Sequence, residues 1–218
     1  HRSLRRQRQM CIRDRANKES IICAWNLIQN ELKKYKTKFV PVDSEHFSLW
    51  YALKNSSISD IEKIYLTASG GPLLKFPKSN SNNISLARAL KHPTWSMGKK
   101  ISIDSCTMMN KVFEVIEAKH LFNLPYDRIS ILTHPNSYIH AIIKFKNGLV
   151  KIIAHDTTMK IPIFNTINSD NNSIFKSDNL NLKKLNNLDL KIVNYNLFPL
   201  VNILKYLPKK ISLFETVI

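Results

Sequence analysis

The chain has 218 residues, of which 44% are hydrophobic and 22% are charged, so it can bury one substantial core and is not an intrinsically disordered sequence. No apolar run approaches the roughly 20 residues that a membrane-spanning helix needs, and no signal-peptide pattern is present. We therefore expect a soluble protein without a membrane partner. The three cysteines, Cys11, Cys23 and Cys106, lack metal-ligand spacing and favour a reducing, cytoplasmic compartment.

The formal net charge of +17 invites a nucleic-acid-binding hypothesis, because clustered Lys and Arg neutralise phosphates. Six of the eight arginines, however, lie in the first fifteen residues, and the rest of the chain carries lysines scattered among Asn- and Ile-rich segments. Scattered lysines are typical of solvated faces rather than of a binding stripe. We do not expect nucleic acid as a partner.

Residues 1–15, HRSLRRQRQMCIRDR, differ sharply in composition from the rest of the chain. We interpret them as a leader that is not native to the fold. A transit peptide, which is also Arg-rich and poor in acidic residues, is the alternative.

From residue 17 the apolar patterns predict a mixture of helices and strands. The predicted elements, in chain order, are a helix at 19–34, a strand at 38–42, a helix at 44–54 with Asp43 or Ser44 as its N-cap, a strand at 61–69, a single helix over 102–118, a strand at 128–135, a hairpin at 138–155, a loop or linker at 166–187 and a last helical piece at 198–207.

The predicted helix over 102–118 is mostly apolar, yet Asn110, Lys111, Glu114 and Glu117 form one narrow polar stripe along it. Two interpretations are open. The stripe is either the strip of surface that reaches water or the wall of an internal polar site, since burying Glu and Lys without partners costs several kcal/mol.

Asp43 and Glu45 directly follow the strand predicted at 38–42, and residues i and i+2 of an extended chain point the same way. Together with Glu114 they make an all-oxygen set of three carboxylates, which suits Mg²⁺ or Mn²⁺ rather than Zn²⁺. The alternative is that Asp43 only caps a helix and Glu45 only interacts with the helix dipole.

A second group of residues suggests an anion site. The SGG sequence at 69–71 follows a strand, and glycines let backbone N–H groups approach an oxyanion. Ser105, Asn110 and Lys111 add hydroxyl, amide and ammonium donors. With the carboxylates nearby, these donors suggest a phosphorylated, hydroxyl-bearing substrate whose other end chelates the metal.

Four further residues have weaker signals. His92 and Trp95 lie in a Pro- and Gly-containing segment typical of a lid, although Trp95 is equally expected to anchor its loop to the core. His134 and His140 are interpreted as structural histidines at a strand end, without a catalytic role.

Six motifs in fixed order, ANKES, PVDSEH, LTASGGP, HPTWSMGKKISIDSCTMMNK, EVIEAK and HPNSYIH, closely resemble the 1-deoxy-D-xylulose 5-phosphate (DXP) reductoisomerase family. The resemblance runs from about residue 16 to about residue 165. It implies an NADP-dependent oxidoreductase and isomerase that converts DXP to 2-C-methyl-D-erythritol 4-phosphate in non-mevalonate isoprenoid biosynthesis. The implied chemistry is a retro-aldol and aldol rearrangement to an aldehyde, which NADPH then reduces.

The resemblance also implies roles for particular residues. The divalent metal, Mn²⁺ or Mg²⁺ with Co²⁺ as a further candidate, is held by Asp43, Glu45 and Glu114. The substrate, chiefly its phosphate, is held by Ser44, Ser69, His92, Ser105, Asn110 and Lys111. Lys18 lies between substrate and NADPH, Met97 lies near the nicotinamide, and Trp95 closes over the substrate. The implied catalytic set is Lys18, Glu45, Glu114 and Trp95.

The sequence departs from the family at four positions without losing an implied ligand. These are Val112 where the family usually has Gly, Cys106 where it has Ala, Leu73 where it has Phe, and His120 where it has Trp. Because Val112 is next to Lys111, it can crowd the phosphate site.

The implied fold is α/β, with a catalytic metal and substrate domain at 16–165 built on a mixed β-sheet flanked by helices. A linker at 166–187 and the start of a truncated C-terminal region at 188–218 complete the chain. The family's Rossmann NADPH domain and most of its C-terminal helical domain are not recognisable in this sequence. We therefore expect a fragment that is inactive alone, with a homodimer possible for the full-length protein. The alternatives are a phosphosugar-binding or lyase module that uses a metal without NADPH, a basic nucleic-acid-binding protein, and a purely structural fragment.

Overall fold

The computed structural model describes residues 14–15, 18–74, 84–93, 95, 97–168 and 173–208. Most of the predicted leader lies outside the described residues, so its interpretation stays a prediction. The α-helices of the described part are α1 (Lys18–Lys34), α2 (Ser44–Leu53), α3 (Leu86–Ala89), α4 (Lys99–Cys106), α5 (Met109–Phe122), α6 (Lys160–Ile167) and α7 (Leu182–Asn186). Its strands are β1 (Asp14–Arg15), β2 (Val40–Pro41), β3 (Ile61–Ala68), β4 (Ile129–Thr133), β5 (Ile139–Phe145), β6 (Val150–Ala154) and β7 (Lys191–Ile192).

Five strands form one mixed sheet in the order β6-β5-β3-β4-β7. Strand β3 runs parallel to β4 and antiparallel to β5, so Leu66 lies opposite both Ile131 and Ala141. Strands β1 and β2 form a separate parallel pair. The predicted mixed sheet flanked by helices is confirmed.

The core lies between this sheet and the helices that pack on it, chiefly α2 and α5. Ile61, Ile64 and Leu66 of β3 are fully buried. Each such side chain contributes roughly 1.5–3 kcal/mol relative to an exposed position. The two helices that carry the polar motifs are thus fixed against a rigid support.

The prediction of one continuous helix over 102–118 is wrong. Helix α4 ends at Cys106 and α5 begins at Met109, because Met108 takes a left-handed conformation with φ of 64°. The Thr107 hydroxyl, which donates to the Ile103 carbonyl, also accepts a bond from the Met109 N–H. The segment contains no Gly or Pro at the break, so no residue type there indicates it.

Three other features differ from expectation. Asp43 occupies the N-cap position of α2, but its side chain makes no capping hydrogen bond there. The segment 166–187 is not wholly irregular, since α6 extends to Ile167 and α7 forms within the segment. The helical piece expected at 198–207 is a 3₁₀ helix, Pro199–Lys205.

Within the described ranges, every helix is too short or too polar to cross a membrane.

Candidate active site

A cavity of about 290 Å³ opens where β2 and β3 end and where α2 and α5 begin. The structure brings all twelve residues with an implied role to its wall: Lys18, Asp43, Ser44, Glu45, Ser69, His92, Trp95, Met97, Ser105, Asn110, Lys111 and Glu114. Positions separated by more than ninety residues of chain therefore meet at one place. The roles of these residues stay predictions.

Three carboxylates converge on one side of the cavity. Asp43, Glu45 and Glu114 each offer an oxygen atom, and these atoms lie within 4.8 Å of one another. Glu114 is almost fully buried, and the enclosed Oδ1 of Asp43 has no hydrogen-bond partner among the described residues. Hard oxygen donors that would otherwise repel one another fit a divalent cation such as Mg²⁺ or Mn²⁺.

Two buried lysines approach the same carboxylates. Lys18 Nζ lies 2.7 Å from Asp43 Oδ2, 3.0 Å from Glu114 Oε1 and 2.9 Å from Asn110 Oδ1. Lys111 Nζ lies 2.6 Å from Glu45 Oε1 and also donates to Glu114 Oε2. The stripe along α5 therefore faces an internal site rather than water.

The ionisation of these groups follows from their burial and their neighbours. Burial lowers the pKa of Lys18, but the charges of Asp43 and Glu114 outweigh it and raise that pKa well above its usual value. Burial raises the pKa of Glu45 to about 7, with a further contribution from Glu114 that Lys111 opposes. Both lysines stay charged, whereas Glu45 exchanges its proton near neutral pH.

Another part of the cavity wall offers hydrogen-bond donors. His92 Nδ1 accepts a bond of 3.0 Å from the Trp95 N–H, and its Nε2 lies 3.0 Å from Ser69 Oγ. Burial lowers the pKa of His92, so the neutral ring donates from Nε2 to Ser69. Ser69 Oγ also accepts from the Gly71 N–H at 3.1 Å. The Ser69 hydroxyl therefore has no acceptor among the described residues and can donate into the cavity.

The expected role of the glycines is partly wrong, because the Gly71 N–H bonds to Ser69 rather than pointing at a ligand. Gly71 instead allows a close approach, since a Cβ there would lie 3.0 Å from the Ser105 carbonyl oxygen. Asn110 and Lys111 stand in the first turn of α5, whose N-terminal N–H groups favour an anion.

The concern about Val112 is not supported. Val112 is fully buried and packs in a small cluster with Ile22, Ile116 and Leu207, away from the cavity. The valine stabilises the contact of α5 with α1 and leaves the side of Lys111 open.

The sequence predicts His140 as a structural histidine and does not place it at the cavity. His140 lines the cavity, its Nε2 donates to the His155 carbonyl at 3.2 Å, and the two imidazole rings stack with centroids 3.7 Å apart. Burial, with a smaller effect of His155, holds the pKa of His140 well below its usual value, so the ring is neutral. The available sequence signal for His140 was its position in the motif HPNSYIH, at the start of β5. Thr67 and Ser137 also line the wall, within the motifs LTASGGP and HPNSYIH, whereas Met159 lines it outside any of the quoted motifs.

The fold and the cavity together define an α/β domain in which three converging carboxylates lie beside hydrogen-bond donors in one cavity. Residues 39–122 match the family model of the 1-deoxy-D-xylulose 5-phosphate reductoisomerase C-terminal domain. The chain is 60% identical to the 1-deoxy-D-xylulose 5-phosphate reductoisomerase of Pelagibacter ubique (strain HTCC1062) over 203 residues, which are 93% of this chain and 52% of that protein.

Solved structures agree with the sequence comparison. A DXP reductoisomerase in complex with NADPH, fosmidomycin and magnesium superposes with a TM-score of 0.80 at 34% identity, covering 88% of this chain and 50% of that one. The enzyme from Zymomonas mobilis in complex with NADPH gives 0.78 at 33% identity, covering 88% and 49%. The chain belongs to the DXP reductoisomerase family and spans about half the length of these relatives. The similarity also extends beyond residue 165, further than the motifs indicated.

Proposed function

We propose that this chain carries the metal- and substrate-binding part of a DXP reductoisomerase, which converts DXP to 2-C-methyl-D-erythritol 4-phosphate with NADPH in isoprenoid biosynthesis. The observation that carries the proposal is the convergence of Asp43, Glu45 and Glu114 with two lysines at one cavity. The identity of 60% to a named reductoisomerase supports the particular reaction.

The hydrogen-bond donors of the cavity wall are proposed to bind the substrate phosphate. Ser69 has a free hydroxyl proton, held in place by His92, and Asn110 and Lys111 stand at the N-terminus of α5. Ser44 and Ser105 add hydroxyl groups at the wall. Since the phosphate does not react, these contacts would supply binding energy that orients the reacting carbons.

Asp43, Glu45 and Glu114 are proposed to hold the divalent cation, Mg²⁺ or Mn²⁺ with Co²⁺ as a further candidate. A cation bound there supplies Lewis-acid polarisation of the substrate's carbonyl and hydroxyl oxygens. The three N–H donors of the Lys18 ammonium face Asp43, Glu114 and Asn110, and Lys18 would turn one of them to a substrate oxygen that gains negative charge. Lys18 would thereby act between the substrate and the cofactor.

Trp95 and Met97 are proposed to cover the reacting centre. Both line the cavity, on the segment that His92 links to Ser69. An indole ring and a thioether over the site would exclude water and give an apolar surface for the nicotinamide of NADPH.

We propose a cytoplasmic enzyme, which the unpaired Cys23 and Cys106 support. A homodimer of the longer protein stays a proposal, and analytical ultracentrifugation tests it.

The test is calorimetric titration of the chain with DXP, with and without Mn²⁺, for the wild type and for Glu114→Gln. Glu62→Gln is the matched control, because Glu62 is an exposed carboxylate that pairs with Lys144 on the sheet surface. We expect metal-dependent binding in the wild type and in Glu62→Gln, and its loss in Glu114→Gln. Binding that is independent of Mn²⁺ and of Glu114 would reject the proposal. A parallel titration with NADPH distinguishes a reductoisomerase from a phosphosugar-binding module without cofactor.

A further inference from the structure

One member of the polar stripe, Glu117, has no part in the proposed function. Its side chain is 1% exposed and lies one helical turn beyond Glu114 on α5. Its Oε2 is 3.4 Å from Nδ1 of His46, a fully buried residue on α2. A carboxylate so deeply enclosed is costly unless a positively charged or hydrogen-bonding group compensates it.

His46 connects Glu117 to the carboxylates of the cavity. Its Nδ1 is 3.4 Å from Asp43 Oδ1, and its Nε2 is 2.8 Å from the backbone carbonyl oxygen of Glu114. Asp43 Oδ1, His46 Nδ1 and Glu117 Oε2 are enclosed and have no hydrogen-bond partner among the described residues, so they face one another. The His46 ring also lies parallel to that of Phe122, with centroids 6.5 Å apart.

The ring connects two helices through its two nitrogens. Nε2 donates to the Glu114 carbonyl oxygen at 2.8 Å, and Nδ1 lies 3.4 Å from a carboxylate oxygen of Asp43 and of Glu117. Asp43, His46 and Glu117 also form a group that could itself hold a metal ion, so ligation by His46 is the alternative that the experiment below separates from positioning.

We propose that His46, held by Glu117, is a positioning residue that fixes Asp43 and the backbone at Glu114 in the arrangement that binds the divalent cation. The inference rests on the proposed function, since it assumes that Asp43, Glu45 and Glu114 hold the metal. Asp43 and Glu45 belong to the start of α2 and Glu114 belongs to α5, so the three carboxylates come from separate elements. His46 joins those elements, and the Glu117 carboxylate, 3.4 Å from Nδ1, holds the ring directed at Asp43. Outer groups of this kind affect metal affinity by about 10–100-fold in known sites.

The test measures Mn²⁺ affinity by calorimetry in the wild-type chain, Glu117→Gln, His46→Gln and the control Glu62→Gln. Glu117→Gln preserves the shape of the side chain and removes only its charge. We expect Mn²⁺ to bind about 10–100-fold more weakly to Glu117→Gln and to His46→Gln, and with wild-type affinity to Glu62→Gln. Because the two residues act as one unit, the double variant should lose little more than the weaker single variant.

Pulsed electron paramagnetic resonance of Mn²⁺ bound to chain with ¹⁵N-labelled histidine separates positioning from ligation. We expect one Mn²⁺ per chain and no directly bonded ¹⁵N. Wild-type affinity in Glu117→Gln, a directly bonded imidazole nitrogen, or a second Mn²⁺ held through Glu117 would overturn the inference while leaving the metal site intact. Absence of Mn²⁺ binding in the wild type would reject the proposed function itself, and the inference with it.

Discussion

Replacing Lys18 with Met tests whether the charges of the cavity compensate one another in the folded protein. The Lys18 side chain is 8% exposed, and its ammonium contacts Asp43 Oδ2 at 2.7 Å and Glu114 Oε1 at 3.0 Å. The substitution keeps the length of the side chain but leaves Asp43 without its lysine partner and Glu114 with Lys111 alone. Removing one partner of a buried ion pair costs about 3–5 kcal/mol, and we expect Lys18→Met to lie in that range.

Lys100→Met is the matched control. Lys100 contacts two carboxylates at similar distances, Glu19 Oε1 at 2.8 Å and Asp104 Oδ2 at 2.7 Å, but its side chain is 66% exposed. Solvent screens such pairs, so the expected cost is about 0–1 kcal/mol. The comparison therefore varies burial while holding the ion-pair geometry nearly constant.

The assay is urea denaturation followed by circular dichroism, with the free energy of unfolding extrapolated to water. The wild type and both variants are measured with and without Mn²⁺. Because a bound cation would compensate Asp43 and Glu114 directly, we expect Mn²⁺ to recover part of the stability lost in Lys18→Met. Equal costs for Lys18→Met and Lys100→Met would refute the reasoning.

Three other predictions address particular features of the site. The pKa of Glu45 is about 7 in the folded chain, against 4.5 in an unfolded chain. The burial of Glu45 therefore destabilises the metal-free fold increasingly as pH rises from 4.5 to about 7. The proton that Glu45 holds below that pKa also competes with a cation. Mn²⁺ affinity should therefore rise with pH across 7, with proton release detectable by calorimetry in two buffers; a pH-independent affinity would contradict it. Gly71→Ala should lower the free energy of unfolding by about 1–3 kcal/mol, more than Gly148→Ala does. Both glycines have positive φ, but only at Gly71 would a Cβ lie 3.0 Å from the Ser105 carbonyl oxygen. Thermal unfolding of the two variants tests the difference. Val112→Gly should destabilise the chain by about 2–5 kcal/mol without improving DXP affinity, and tighter DXP binding would show that the valine does crowd the site.

Local patterns of apolar and polar residues predicted most of the helices and strands, because these patterns decide which side chains enter the core. The period-two burial of β4 and the hairpin of β5 and β6 around Gly148 follow from alternation and from a turn residue. The break at Met108 was not predictable, since only tertiary packing holds a methionine in the left-handed conformation. A prediction from sequence periodicity alone therefore continues one helix through Met108.

The composition of the site was predicted from motifs, but its internal connections were not. Residue types and spacing, with the family resemblance, brought Asp43, Glu45 and Glu114 together. The hydrogen bond from Gly71 to Ser69 and the contact of His46 with Glu117 depend on side-chain directions that no spacing rule gives. His46 is three residues after Asp43, in the first turn of α2, and this spacing was the one signal for it.

The most direct test of the central claim is anomalous X-ray diffraction from crystals of the chain grown with Mn²⁺ and DXP. We expect one manganese peak bound by carboxylate oxygens of Asp43, Glu45 and Glu114, with the substrate phosphate at the N-terminus of α5 near Ser69 and Lys111. A peak bound by His46 and Glu117 instead, or a substrate phosphate elsewhere on the chain, would contradict the claim.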